Sequence, residues 1–262
     1  MHLVVAFGWQ KEEVAVAQTI ADALGTVAFE ARQKIAGGGP AVLACFADPR
    51  QAEALSGRLT GDGVPALVVD PLAVRKRKPP FLVRRFGLGE QALRVESVTG
   101  ELGDIDYATI DLLLVAICSA GQIQTTATVT KRKFSLGKTL LAGGMPMTRK
   151  VTLEQPQTSE VRDETLWLYA RGRTPVIFNR AAMNYDGFGD AMQLTRDLNF
   201  AHLKNTLRRL APQAGYDDRL LKRATLVRVL GPTLSPEGDL DLAFEILARS
   251  LRPLTDFGAA SL

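Results

Sequence analysis

The chain has 262 residues, 46% of them hydrophobic, 23% charged and 6% aromatic, with a formal net charge of +4. That length suits one large domain or two small ones, each with a core of its own, and the apolar share excludes global disorder. Charge falls in blocks: residues 71–100 carry seven Lys/Arg against two Asp/Glu, residues 101–118 none against four, and residues 119–160 six against two. A sustained basic face is therefore missing, and the pI of 9.2 does not by itself make nucleic acid the first expectation.

LVVAFGW (3–9) is a short apolar run of strand type. Val14, Ala17, Ala21 and Leu24 then recur at helical spacing up to Gly25, a residue suited to a helix C-terminus. Thr26 is the expected cap of a second short helix carrying Phe29, Arg32 and Ile35, broken by Gly37-Gly38-Gly39-Pro40. PAVLACFA (40–47) reads as a buried strand, and Asp48-Pro49-Arg50-Gln51 as a helix start with an acidic cap and proline in the first turn. Ala52, Leu55 and Leu59 line that helix, Gly61-Asp62-Gly63 ends it, and VPALVV (64–69) is a third strand. The triple glycine follows a helix instead of preceding one, which favours a turn over a phosphate-binding loop. Cys45 and Cys118 each sit in an apolar run and read as reduced core thiols.

The order strand, helix, helix, strand, helix, strand over residues 1–71 resembles the C-terminal domain of the bacterial ribosomal stalk protein and the related fold of a protease adaptor. Val14-Ala15-Val16, Glu30-Ala31-Arg32 (Glu-Ala-Lys in the family) and Ala52-Glu53-Ala54-Leu55 fall in register with it. The resemblance implies a small αβ sandwich. Gln18 and Ala21 occupy positions that are basic in the family's first helix, so translation-factor binding is not carried over.

Residues 72–80, containing VRKRKPP (74–80), have the composition of a linker, or of a tether to an anionic surface. FLVRRF (81–86), QALRVES (91–97) and DYATIDLLLVAIC (106–118) read as strands separated by glycine turns, as in an antiparallel meander. The pattern resumes at TLWLYA (165–170), TPVIFNR (174–180) and AAMNYDGF (181–188), then closes with a helix whose stripe is Phe200, Leu203, Leu207 and Leu210. Residues 212–262 form a helical tail: Asp217 or Asp218 is expected to cap one helix through Leu230, and Ser235-Pro236-Glu237 starts a last one. Neither the N-terminus nor any interior run reads as a secretory signal or membrane span, so the expected location is cytoplasmic.

Six short strands and a closing helix over residues 81–211 resemble a pleckstrin-homology-like barrel, with Ile105-Asp106-Tyr107-Ala108-Thr109-Ile110 matching an I-x-Y-x-x-I strand. The resemblance implies a binding scaffold. The expected fold class is thus α+β, an αβ sandwich followed by this barrel with an insertion at 119–164 and the helical tail. Within the insertion lies VTKRKFSLGKTLLAGGMPMTRKV (129–151). A Walker loop would need glycine where Arg132 stands, so the GKT triplet is not one. Three readings stay open: an arm in which Lys131, Arg132, Lys133, Phe134, Lys138, Arg149 and Lys150 grip an anionic partner, a solvated loop, and a strand, since TTATVTKRKF (125–134) alternates.

Catalytic hardware is sparse. His2 and His202 are the only histidines, and Asp104, Asp106 and Asp111, or Asp186 and Asp190, are the carboxylate groups able to support an aspartate-dependent hydrolase. The sequence points first to a non-catalytic interaction or regulatory protein without a cofactor or metal, binding another protein or itself. A nucleic-acid- or ribosome-associated protein using 74–78 and 131–150 is the alternative.

Overall fold

The computed structural model describes residues 1–11, 13–134 and 148–252. The chain divides into two compact units, one of Met1–Cys118 with Glu164–Leu262 and one of Ser119–Asp163. The fold is α+β.

In the larger unit, β1 (His2–Ala6), α1 (Val14–Leu24), α2 (Ala28–Ile35), β2 (Ala41–Phe46), α3 (Pro49–Gly61) and β3 (Ala66–Val69) follow the order read from the sequence. The three strands form a sheet in the order β2-β1-β3, antiparallel at both pairings. Gly25 ends α1 in the left-handed region, and the Asp48 carboxylate caps α3 by accepting from the Arg50 amide at 2.9 Å. Thr26 does not cap α2: Val27 holds that position without a side-chain bond, and the Thr26 hydroxyl is buried. Val4, Ala6 and Leu43 bury one face of the sheet under α1–α3, while Leu3, Val5, Val42, Leu67 and Val69 turn to the other. Ala17, Ile20, Ala21, Ala31 and Ile35 thus spend the apolar stripes of α1 and α2 on a core, and no single helix among the described residues is long and apolar enough to cross a membrane.

α4 (Pro71–Lys76) leads from this sheet to β4 (Phe81–Leu88), β5 (Ala92–Ser97), β6 (Leu102–Asp106), β7 (Ile110–Phe134), β8 (Thr148–Ala170), β9 (Val176–Asn179), α5 (Arg196–Leu210), β10 (Gly215–Leu220), α6 (Arg223–Leu230) and α7 (Leu240–Leu251). The strands build one sheet, ordered β10-β7-β8-β9-β4-β5-β6. It has two ends, so the expected barrel does not close. The simple meander is also replaced, because β4 runs parallel to β9 and β10 parallel to β7. Residues 215–220, expected as the start of a helix, form β10 because Tyr216 and Leu220 reach the cores on either side of β7. Residues 181–188 are no strand: the Asn179 side chain accepts from the Ala181 and Ala182 amides and stops β9, and a 3-10 turn follows at Asp186–Ala191. At Gly187 a Cβ would fall 1.9 Å from the Phe86 carbonyl, so only glycine lets this turn lie on β4.

The run LLLVA is continuous because both faces of β7 are covered. Leu113 and Val115 join Phe200, Leu203 and Leu207 of α5 in one core; Leu112, Leu114 and Ala116 join α6, α7 and the inner face of β1–β3 in another. The helical tail therefore fills the space between two sheets, which explains why Leu242, Ala243, Phe244, Ile246, Leu247 and Ala248 are all buried along α7.

Candidate interaction site

The second unit consists of the outer parts of β7 and β8, which are neighbours in the sheet. At 25 and 23 residues they are far longer than β4, the next longest strand, at 8. The alternating Thr125–Thr130 segment continues β7 as strand, so the strand reading of 125–134 holds. Lys131, Arg132, Lys133 and Phe134 close β7, while Arg149 and Lys150 open β8. β7 and β8 are hydrogen-bonded neighbours, and each carries part of the basic set. Lys138 falls in 135–147, outside the described residues.

The other basic segment is committed to the fold. Along α7, Asp241, Glu245 and Arg249 recur every fourth residue, forming a polar stripe on an otherwise buried helix. Arg75 of α4 donates to Asp239 and, at 3.2 Å, to Asp241; Arg77 donates to Glu245 at 2.7 Å. Arg249 donates to the Val68 carbonyl at 2.7 Å, and burial holds its pKa below the usual arginine range. Arg252 pairs with Asp111 at 2.8 Å and lies over the Tyr169 ring. Burial, reinforced by the Glu245 carboxylate, pushes the Tyr169 phenol well above its usual range. Arg75 and Arg77 thus tie α4 and the residue after it to α7, while residues 75–80 stay exposed.

Three of the candidate carboxylates have structural partners. Asp106 caps a 3-10 turn through the Ala108 amide, Asp111 holds Arg252, and Asp186 accepts from Asn184. The Asp104 carbonyl accepts from Arg173. His202 lies against the Phe188 ring, 4.7 Å between centroids. Among the described residues no three His, Cys, Asp or Glu side chains gather as a metal site. Cys45 and Cys118 are half-buried and lie beside the Thr233 and Thr165 hydroxyls. Gly37 and Gly38 take positive φ and form a turn, whose carbonyls at Gly37 and Gly39 accept from Arg228 and Arg219.

Two surface features carry no local signal in the sequence. One is a cleft of about 210 Å³ on α2, lined by Phe29, Arg32, Gln33 and Ala36. The other is the exposed segment between the 3-10 turn and α5, with Met192 and Leu194 in water, followed by exposed Leu198 in the first turn of α5. Comparison with protein-family models, curated proteins and solved structures finds no match to this chain.

Proposed function

We propose that this chain is a non-catalytic, cytoplasmic interaction protein that grips an acidic protein surface through β7 and β8. The observation that carries this reading is the pairing of two exceptionally long strands, β7 carrying Lys131, Arg132, Lys133 and Phe134 in sequence and β8 carrying Arg149 and Lys150, within a unit of its own. Basic residues on such strands offer charge, and main-chain edges offer register, to an anionic partner. The β2-β1-β3 order supports a stalk-like αβ module in residues 1–71.

Affinity capture from nuclease-treated lysate tests the proposal, comparing the parent with the Lys131→Glu, Arg132→Glu, Lys133→Glu variant. A protein retained by the parent and lost on charge reversal supports it. Retention that disappears on nuclease treatment would replace it with the nucleic-acid reading.

A further inference from the structure

We infer that Arg173 is a latch on the open edge of the seven-stranded sheet, seated where the β6 strand of a second copy of this chain would otherwise pair. The inference rests on β5, β6 and the turn after β8, and is independent of the binding role proposed above.

β6 stands at the end of the strand order, with β5 on one side only. The register shows which of its main-chain groups β5 uses. The Ser97 amide donates to the Glu101 carbonyl and the Tyr107 amide to the Gln91 carbonyl, so in the antiparallel alternation Gly103 and Ile105 are the residues bonded to β5. The N–H and C=O groups of Leu102, Asp104 and Asp106 therefore point away from it, and such an edge is a template for another strand.

Arg173 takes the middle of this edge. Its guanidinium donates to the Asp104 carbonyl and lies so near Gly103 that a Cβ there would fall 3.3 Å from Nη2. The turn that carries it is fixed: the Arg171 amide donates to the Thr109 carbonyl at 3.0 Å and the Arg171 guanidinium to the Ala108 carbonyl at 2.8 Å. The smaller sheet uses the same chemistry. Arg249 donates to the Val68 carbonyl of β3 at 2.7 Å, and Lys34 donates at 3.2 Å to that of Leu43, the residue β2 skips in its register with β1. Arg249 is mostly buried on α7, whereas Arg173 is exposed on a turn, so β6 is the edge whose cover can lift.

The shape and charge of the edge fit a second copy. With residues 102, 104 and 106 directed outward, two β6 strands meet antiparallel about Asp104, each Leu102 opposite the other copy's Asp106. Within each copy Asp104 faces Arg94 across the β5–β6 pair, and both are exposed. The row across the join then reads Arg94, Asp104, Asp104, Arg94 and carries no net charge. That arrangement closes as a two-fold dimer. With the Arg173 guanidinium on the Asp104 carbonyl, its central hydrogen bonds cannot form.

Amide-resolved hydrogen exchange of the full chain at about 5 µM and about 500 µM reads this edge directly. In the parent the Leu102, Asp104 and Asp106 amides should exchange fast at both concentrations. Arg173→Ala should slow all three at least about tenfold at the higher concentration only, with a melting temperature near the parent's because Arg173 is exposed. Adding Leu102→Pro removes an outward N–H that β5 does not use, and should return Asp104 and Asp106 to fast exchange. Exchange in Arg173→Ala that ignores concentration overturns the inference, as does concentration-dependent protection of these amides in the parent. Self-association of Arg173→Ala that leaves the three amides fast places the contact elsewhere and overturns it too.

Discussion

Trp167 of β8 and Phe244 of α7 stack with ring centroids 3.9 Å apart and planes 19° from parallel. The contact joins the seven-stranded sheet to the last described helix, so residues 77 apart in sequence share one core. Phe244→Ala should cost about 3–5 kcal/mol in urea unfolding, through lost burial and the cavity left behind. A loss below about 1 kcal/mol would mean that α7 does not pack there.

The polar stripe on α7 predicts an asymmetry. Glu245 is largely buried between Arg77 and Arg249, whereas Arg77 is mostly in water. Glu245→Gln should destabilise by about 1–3 kcal/mol, since it takes the carboxylate from two cations. Arg77→Ala should stay within about 1 kcal/mol, as for other exposed partners of ion pairs. Equal losses in denaturant titrations would contradict the placement of Glu245.

Tyr169 predicts an alkaline limit. Burial raises its folded pKa, so above about pH 10 the unfolded chain releases a phenolic proton that the folded chain retains. Stability from this group is fully present below about pH 10 and falls as pH rises beyond it. Tyr169→Phe should flatten that fall in a melting series from about pH 8 to 11. Tyr107 and Tyr216 are raised by burial as well, so part of the slope should remain. An unchanged slope would show that Tyr169 is not buried as described.

Replacing residues 126–152 with a short Gly/Ser connection should leave stability within about 1 kcal/mol of the parent, because Ser119–Asp163 forms a compact unit of its own. Collapse of the fold on this replacement would make the long strands part of the core.

The elements that local chemistry specifies were legible in the sequence: Gly25 as a helix stop, Asp48-Pro49 as a helix start, and LLLVA as a core strand. Elements decided by distant partners were not. Asp217 and Asp218 look like helix caps, yet pairing with β7 makes their segment a strand. Arg75 and Arg77 look like a solvated run until carboxylates from the far end of the chain meet them. The basic strand segment was visible as alternation and charge, whereas nothing local marks Leu194 as exposed; that follows from the grip of Asn199 on the loop.

The central claim, that the basic ends of β7 and β8 are a protein-binding element, is tested most directly by fluorescence anisotropy. Labelled poly-glutamate and a short labelled RNA are titrated with the full chain and with its Lys131→Glu, Arg132→Glu, Lys133→Glu variant. At about 150 mM salt, where the Debye length is about 8 Å, only close contacts persist. The account predicts that the parent binds the acidic peptide, that charge reversal abolishes this binding, and that RNA binds only weakly. Submicromolar RNA binding that charge reversal abolishes, with no binding of the peptide, would contradict it.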